Sequence, residues 1–517
     1  DQQGTANSFN YNYWTSPVSL SGSAINSGFK IASVLHDGSN PATIKDFNFN
    51  YQYHWADYYD FSSNKRISTY WLHTFGDAAE DFNGTADDYF EWHHISENDL
   101  LPPGIGYSMK GTSGSVPLSK RQNYTFEGLP NNGDVSLYVS SGQNKLIGNP
   151  YPSAIDGQKF INDNLGKFNG SIYLWDHFGK EDSHYLEEYV GGYATFNLSG
   201  GVSSATSSDA RINDNGDRGS KVPGRYIPVG QAFFISTSTG SGSSSGGTLK
   251  FTNSMRAFVP ESSGDSQFLK PIYPTKEKSL ELDYAKDSRY KIRLGFDSPK
   301  GYHRQILVTA DAHTSNDFDL GYDAPLIENN VEDMYWMIND SEYVIQGVPD
   351  FNLDRVLPIG MRIGQEGELT IKIDELENLP KDFDIYLYDK ETASYHDLME
   401  SDYKISMEPG DINDRFEVVF FKPEDEIEDP EVIEGIDNLV VDYARDLREI
   451  RLVNPDRMTI DHVELFSLNG QRIESFDEMG DLQTIDLPIN SPLSTAVYIV
   501  RVFSDGKQYS RKIIIKE

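Results

Sequence analysis

Short runs of β-branched and aromatic residues, separated by turn-forming residues, recur along the whole 517-residue chain. Residues of these types favour strands, and the 43 Gly and 24 Pro favour tight turns between them over long helices. The sequence therefore predicts an all-β fold. The clearest predicted strand segments are Tyr226–Ile235, Lys291–Leu294, Gln305–Val308, Asp384–Tyr388, Phe416–Phe421, Val497–Phe503 and Tyr509–Ile515.

The chain is too long for a single hydrophobic core, so we expect several β-sandwich-like domains in tandem. Composition separates a large aromatic- and Gly-rich β domain at 1–262, of one or two subdomains, from a β-sandwich domain at 263–428. Residues 423–432 are nearly all acidic or Pro, and like charges keep such a linker extended. After the end of this linker at 429–432, a small domain occupies 433–517.

Charge and cysteine content exclude several functions. The chain has 80 acidic and 44 basic side chains, a net charge of −36, so a nucleic-acid backbone would be repelled. Without Cys, disulfides and thiolate chemistry are excluded, and only His and oxygen ligands remain for metals. No apolar run approaches the roughly 18 residues of a membrane span. We expect no nucleic-acid partner, no transmembrane segment and no cofactor.

The chain begins with Asp rather than Met, so we expect Asp1 to follow a removed signal or an artificial cut.

Three aromatic residues, Tyr51, Tyr53 and Trp55, are spaced by two. On a strand, this spacing would place the three rings on one face. If that face is covered, the rings form a cross-strand ladder, and if it is exposed, they form a stacking platform for sugars. The sequence leaves both alternatives open.

Evidence for metal binding and catalysis is weak. The segment with Asn213, Asn215 and Asp217 resembles a calcium loop, but Arg211 stands where the first carboxylate should be. The adjacent pair His93 and His94 would point to opposite faces of a strand, which cannot close one site. Recognised nucleophile, zinc-protease and phosphate-loop motifs are absent from the sequence, and nothing singles out two of the many carboxylates. We therefore predict no enzyme and no metal, with calcium binding as the alternative.

A hairpin is predicted at the end of the chain. The two β-branched runs Val497–Phe503 and Tyr509–Ile515 flank Asp505 and Gly506, and Asp-Gly between such runs is a strong hairpin signal. Gly470, in an Asn-Gly-Gln sequence, is predicted to turn the chain after an earlier strand. The chain should therefore end on a strand.

The C-terminal region resembles the type IX sorting domain of Bacteroidetes cargo proteins, in its common cleavable form. Four blocks carry the resemblance in the family's order: Leu452–Pro455, Val463–Arg472, Ala496–Val500 and Ser510–Ile515. The family usually has Gly where this chain has Ala496, which is also small. The resemblance implies a small Ig-like sandwich that is read by the type IX outer-membrane translocon and its shuttle protein. The sorting-signal residues that it implies are Gly470, Val497, Tyr498, Lys512 and Ile513.

The rest of the chain is similar to a region of large gliding and adhesion-associated surface proteins, including secreted carriers of the gliding adhesin. The matching blocks are Tyr11–Val18, Gly104–Met109, Leu146–Asp156, Val229–Ile235, Phe251–Arg256, His396–Leu398 and Arg415–Phe416. This resemblance implies secretion through the periplasm and the type IX system to the cell surface. The implied function is that of a carrier or scaffold for the C-terminal domain of a large surface adhesin. The alternatives are a carbohydrate-binding adhesin module and a glycan hydrolase with an unrecognised acidic site.

Overall fold

A computed structural model describes most of the chain, and the prediction of an all-β fold is confirmed. Forty strands and two short α-helices lie within the described residues, where no helix is long and apolar enough to cross a membrane. The described residues are 1–40, 42–58, 64–76, 91–117, 119–179, 182–185, 188–205, 219, 221–239, 243–259, 266, 287–328, 330–380, 383–422, 439–444, 448–467, 472–491, 493, 496–504 and 507–515.

The chain divides into two compact units. The first contains residues 1–351 and 356–418, and the second contains 352–355 and 419–517. The predicted boundary near residue 262 and the predicted linker at 423–432 both lie outside the described residues. These two boundaries therefore stay predictions.

The first part of the first unit is built from twelve short strands and helix α1 (Ile31–Val34). The strands are β1 (Gln2–Thr5), β2 (Tyr11–Trp14), β3 (Val18–Ser19), β4 (Leu35–Asp37), β5 (Lys45–Asp46), β6 (Asn48–Asn50), β7 (Arg66–Ser68), β8 (His73–Phe75), β9 (Trp92–His94), β10 (Tyr107–Lys110), β11 (Arg121–Phe126) and β12 (Leu129–Pro130). They form the sheets β1-β11-β4-β5, β2-β10-β8-β9, β12-β3 and β6-β7. Their core contains Trp14, Phe29, Tyr107 and Tyr124, all buried.

Ten further strands and helix α2 (Gly157–Asp163) follow. The strands are β13 (Val135–Val139), β14 (Asn144–Gly148), β15 (Ala154–Asp156), β16 (Ile172–Gly179), β17 (Val190–Phe196), β18 (Gly201–Val202), β19 (Tyr226–Ile227), β20 (Ala232–Ser236), β21 (Gly247–Phe251) and β22 (Arg256–Ala257). They form the sheets β14-β20-β16-β17-β18, β13-β21 and β19-β15-β22. All five residues of β20 are buried, which fits its position between two neighbouring strands.

The last part of the first unit is one eleven-stranded sheet. Its strands are β23 (Lys291–Asp297), β24 (His303–Ala310), β25 (Ala324–Pro325), β26 (Asp333–Ile338), β27 (Ser341–Val348), β28 (Val356–Ile363), β29 (Gly367–Glu377), β30 (Tyr386–Asp389), β31 (Ser394–Asp397), β32 (Tyr403–Met407) and β33 (Gly410–Val419). The order is β31-β30-β33-β28-β26-β27-β24-β23-β29-β32, and β25 pairs with β27. In this sheet β24 and β27 run parallel, with Leu307 opposite Ile345.

The second unit has seven strands in two sheets. They are β34 (Val440–Ala444), β35 (Glu449–Val453), β36 (Ile460–Ser467), β37 (Arg472–Gly480), β38 (Thr484–Pro488), β39 (Ala496–Ser504) and β40 (Lys507–Ile515), in the orders β34-β35-β38 and β37-β36-β39-β40. Val463 and Leu465 occupy alternate positions of β36. Both are fully buried in the core of this unit. The predicted terminal hairpin is confirmed, because β39 pairs with β40 from Ala496 opposite Ile515 to Ser504 opposite Lys507.

Candidate functional site

The predicted aromatic face at Tyr51, Tyr53 and Trp55 does not lie on a strand. Residues 51–58 form turns after β6, so the strand on which the alignment of the three rings depended is not present. Ligand binding by these aromatic residues stays a prediction. Trp55 is half-buried, and the guanidinium carbon of Arg66 lies 4.6 Å from the centre of its ring. Tyr51 and Tyr53 are 61% and 45% exposed. Two of the three rings are therefore open to a ligand.

Four exposed tyrosines form one patch, which we name the tyrosine surface: Tyr51, Tyr53, Tyr58 and Tyr70. The ring centre of Tyr70 lies 5.6 Å from that of Tyr51 and 5.9 Å from that of Tyr53. The ring of His54 connects Tyr58 to the rest, since it lies 6.3 Å from Tyr58 and 3.5 Å from Tyr53. Tyrosine rings combine an apolar face with a hydroxyl, which suits them to bind amphipathic ligands.

Trp71 connects the tyrosine surface to a buried polar layer beneath it. Its Nε1–H donates to the carbonyl oxygen of Tyr53 at 3.0 Å. Its ring stacks on the ring of His184, with centres 4.8 Å apart and an interplanar angle of 24°. The Lys110 Nζ lies 3.6 Å from the centre of the same Trp71 ring. The indole of Trp71 therefore contacts the backbone of the exposed Tyr53 and the side chains of His184 and Lys110.

Two histidines and a carboxylate converge at this layer, and we name them the His–Asp–His cluster: His54, Asp57 and His184. Asp57 Oδ2 lies 2.7 Å from His54 Nδ1 and 3.0 Å from His184 Nε2. Asp57 Oδ1 accepts the hydroxyl proton of Ser8 at 2.8 Å. Burial alone would raise the pKa of Asp57, but hydrogen bonds from His184, His54 and Ser8 hold it below the usual value. Asp57 is therefore a carboxylate at neutral pH.

Lys110 lies behind His184 and is 3% exposed. Its Nζ is 2.8 Å from His184 Nδ1 and also donates to the hydroxyl of Tyr189. The rings of Tyr11, Trp71 and Tyr189 surround the amine, at 4.6, 3.6 and 4.8 Å from it to the ring centres. Burial lowers the pKa of Lys110 well below its usual value, and the Asp57 carboxylate acts in the opposite direction. The covered amine holds the His184 ring in one orientation and is itself out of reach of a large substrate.

These side chains come from four separate stretches of the first unit. Ser8 precedes β2, His54 and Asp57 lie in the turns after β6, Lys110 ends β10, and His184 lies between β16 and β17. Sequence reasoning missed the whole cluster. The spacing of His54 and Asp57 on a turn is a weak signal, and nothing local connects this pair to His184.

The predicted sorting-signal residues lie in the second unit. Tyr498 on β39 pairs directly with Ile513 on β40, and both side chains are buried. Val497 and Lys512 are on the same two strands, where the structure describes only their backbone. Gly470 lies outside the described residues. The sorting role of all five residues stays a prediction.

The remaining metal candidates do not form a site in the described residues. Asn213, Asn215 and Asp217 lie outside those residues, so calcium binding there stays a prediction. His93 and His94 on β9 bind different backbone carbonyls, because each ring lies about 3 Å from its own carbonyl oxygen, of Gly76 and Thr69 respectively. The two adjacent rings therefore have separate hydrogen-bond partners.

Comparison with known proteins gives a family and no function. No curated protein matches the chain. Residues 2–420, which include the tyrosine surface, the His–Asp–His cluster and the eleven-stranded sheet, match one protein family. The chain therefore belongs to the family described as Domain of unknown function (DUF8693).

Proposed function

We propose that this chain is a non-enzymatic surface protein, exported through the type IX translocon, that serves as a carrier or scaffold for a large adhesin. Its second unit is the sorting signal in this proposal. The observation that carries the proposal is the placement of the four sorting-type blocks. Each of them overlaps a strand of one small two-sheet unit: β35, β36, β39 and β40.

The construction of the second unit supports a signal that is read as a folded surface. Core residues from both sheets pack together, among them Leu452, Val463, Val500 and Ile513. Among the strands that the structure describes, β40 is an end strand of its sheet and pairs with β39 alone. Loss of β40 would leave unpaired the backbone groups on one edge of β39, whose other edge pairs with β36, and would remove part of the core. A translocon that recognises this fold would then lose its target.

The carrier role is supported by the size and the sheet edges of the first unit. Its eleven-stranded sheet ends at β31 on one side and at β32 on the other. An end strand can accept an added strand from a partner, so that backbone hydrogen bonds give affinity and side-chain pockets give selectivity. The C-terminal domain of the adhesin is the partner in this proposal. Affinity purification of the tagged chain from its native cell envelope should recover the adhesin in stoichiometric amount.

The sorting proposal is tested with a reporter fused to residues 436–517 behind a signal peptide. We expect the fusion to reach the cell surface. The full chain without Lys512–Glu517 should instead remain in the periplasm, with the first unit folded. If the reporter stays in the periplasm, or if the truncated chain reaches the surface, the second unit is an ordinary structural domain.

A second candidate, carbohydrate binding, is favoured by the exposure of Tyr51 and Tyr53. Sugar rings stack on aromatic faces, and the tyrosine surface offers several neighbouring faces together with hydroxyl groups. A glycan array tests this function directly. The double variant Y51A/Y53A should lose the signal, whereas Y138A should keep it, because Tyr138 is equally exposed but lies on β13 in another sheet. No glycan signal from the wild type would exclude this candidate.

A further inference from the structure

We propose that His54, Asp57 and His184 bind a divalent transition-metal ion of the zinc class. This inference goes beyond the proposed function and does not depend on it. Within the described ranges these residues are the one group of three or more His, Cys, Asp or Glu side chains whose ligand atoms lie close enough together to hold one metal ion.

The geometry of the cluster is close to that of a metal site. The three ligand atoms, one from each residue, lie within 4.8 Å of one another. Ligand atoms at about 2.0–2.1 Å from a tetrahedral zinc ion are roughly 3.3 Å apart. The distances from Asp57 Oδ2 to the two histidine nitrogens, 2.7 and 3.0 Å, would need to lengthen by only a few tenths of an ångström. His54 lies on a turn and its side chain is 46% exposed, so it can make this adjustment.

The residues around the cluster hold two of the three ligands in place. The oxygen of Asp57 that would not bind the ion accepts the Ser8 hydroxyl at 2.8 Å. The nitrogen of His184 that would not bind the ion is 2.8 Å from Lys110 Nζ, and its ring stacks on Trp71. The hydrogen bond to Asp57 and the stacking and amine contacts of His184 limit the orientations that these two side chains can adopt. His184 and Asp57 are therefore oriented before any ion arrives.

The ligand set indicates which metal would bind. Two imidazole nitrogens and one carboxylate oxygen suit zinc and its neighbours in the first transition row, whereas calcium and magnesium prefer sites made of oxygen. Three protein ligands leave a fourth position free. Because His54 is half exposed and Tyr53 and Tyr58 are nearby on the tyrosine surface, that position would face solvent, where a water molecule or an oxygen of a ligand could occupy it.

The alternative is a cluster that is held by hydrogen bonds alone. In that case each histidine donates an N–H to Asp57, and zinc has no affinity for the site above that of scattered surface histidines. The chain contains a matched control for this alternative. His313 Nδ1 lies 2.7 Å from Asp311 Oδ1, the same distance as between His54 and Asp57, but no third ligand group joins this pair within the described part of the chain.

The test is calorimetric titration of the metal-free full-length chain with zinc chloride, repeated with cobalt(II) so that its absorption spectrum reports coordination geometry. We expect one high-affinity ion per chain and a tetrahedral-type cobalt spectrum in the wild type. H54A and H184Q should each weaken zinc binding by more than about tenfold. Loss of a residue that only hydrogen-bonds to a metal ligand already lowers metal affinity by about tenfold or more. H313A should bind zinc as the wild type does.

Thermal unfolding provides the second readout. Zinc should raise the melting temperature of the wild type and of H313A, because an ion that binds only the folded chain stabilises it. It should not raise that of H54A above the melting temperature of the same variant without metal, because H54A lacks one of the three ligands. The proposal is overturned if the wild type shows no saturable zinc binding, or if H54A binds zinc as tightly as the wild type.

Discussion

The closing strand of the second unit allows a quantitative test of the sorting proposal. Ile513 and Ile515 on β40 are buried in the core, whereas Arg511 on the same strand is exposed. Each Ile-to-Ala change in a core costs about 2–5 kcal/mol, so I513A/I515A should lower the free energy of unfolding by about 4–10 kcal/mol. A unit of roughly 80 residues is stable by about 4–12 kcal/mol. The double variant should therefore be largely unfolded in this unit, while R511A stays folded.

The positions of the tryptophans allow unfolding of the second unit to be distinguished from unfolding of the first unit. All six Trp residues lie between Trp14 and Trp336, so tryptophan fluorescence reports on the first unit alone. In I513A/I515A the fluorescence spectrum should match that of the wild type, and limited proteolysis followed by mass spectrometry should show new cleavages within 439–515. In cells, the double variant should accumulate in the periplasm and R511A should reach the surface.

Two results would refute different steps of this reasoning. If I513A/I515A resists protease as well as R511A does, the estimate of core energetics is wrong. If the double variant is cleaved in the second unit and still reaches the surface, the folded unit is not what the translocon reads.

Three further substitutions test the packing of the eleven-stranded sheet by denaturant unfolding monitored by circular dichroism. Burial alone would raise the pKa of Asp389, but hydrogen bonds from Arg415 hold it below the usual value of an aspartate. D389N should lower the free energy of unfolding by about 2–3 kcal/mol at neutral pH, and this difference from the wild type should shrink as the pH falls through the lowered folded-state pKa. G360A should cost about 1–3 kcal/mol, because a Cβ there would overlap the buried ring of Tyr335 on the neighbouring strand, and an unchanged midpoint would contradict this. W336F should cost about 1–3 kcal/mol by removing the donor to a buried backbone carbonyl on β24, and a smaller loss would mean that water replaces it.

Local patterns predicted much of the secondary structure. The terminal hairpin follows from two β-branched runs around Asp505 and Gly506, and its strands pair where the sequence predicts. A corner at Gly148–Pro152 follows β14, and two Pro residues within five positions restrict the backbone there. Asn149 donates to the carbonyl oxygen of Ser153 and accepts from the amide of Tyr151. In both cases the information lies within a few residues of the structure that it specifies.

The same reasoning failed where a spacing of two was not accompanied by strand-forming neighbours. Around Tyr51 and Tyr53 the sequence supplies Asn50, Gln52 and His54, and the side chain of Asn50 bonds the amide of Gln52. Such side-chain bonds to the backbone favour turns over strands. The alternation of aromatic and polar residues was therefore a poor guide to the conformation of this segment.

The candidate site could not be predicted because it depends on contacts between distant parts of the chain. Asp57 meets His184 across 127 positions of sequence, and Lys110 meets His184 across 74. The sequence neighbours of each of these residues form no pattern that indicates a site. Only the fold shows that a buried lysine, two histidines and a carboxylate share one location.

The pairing of the strands has a consequence for the time at which the chain can fold. Gln2 pairs with Tyr124, Val135 with Phe251 and Ala154 with Ala257, so the sheets of the first unit are closed by residues far apart in sequence. Closing such long loops costs entropy before any contact repays it, and proteins with many distant contacts fold slowly. As the chain emerges from the ribosome, β1 and β13 lack the partners described here until these later segments appear. A long unfolded interval is therefore built into the topology, and it leaves time for chaperones to engage the chain before its cores form; on the proposed export route, the export channel would gain the same interval.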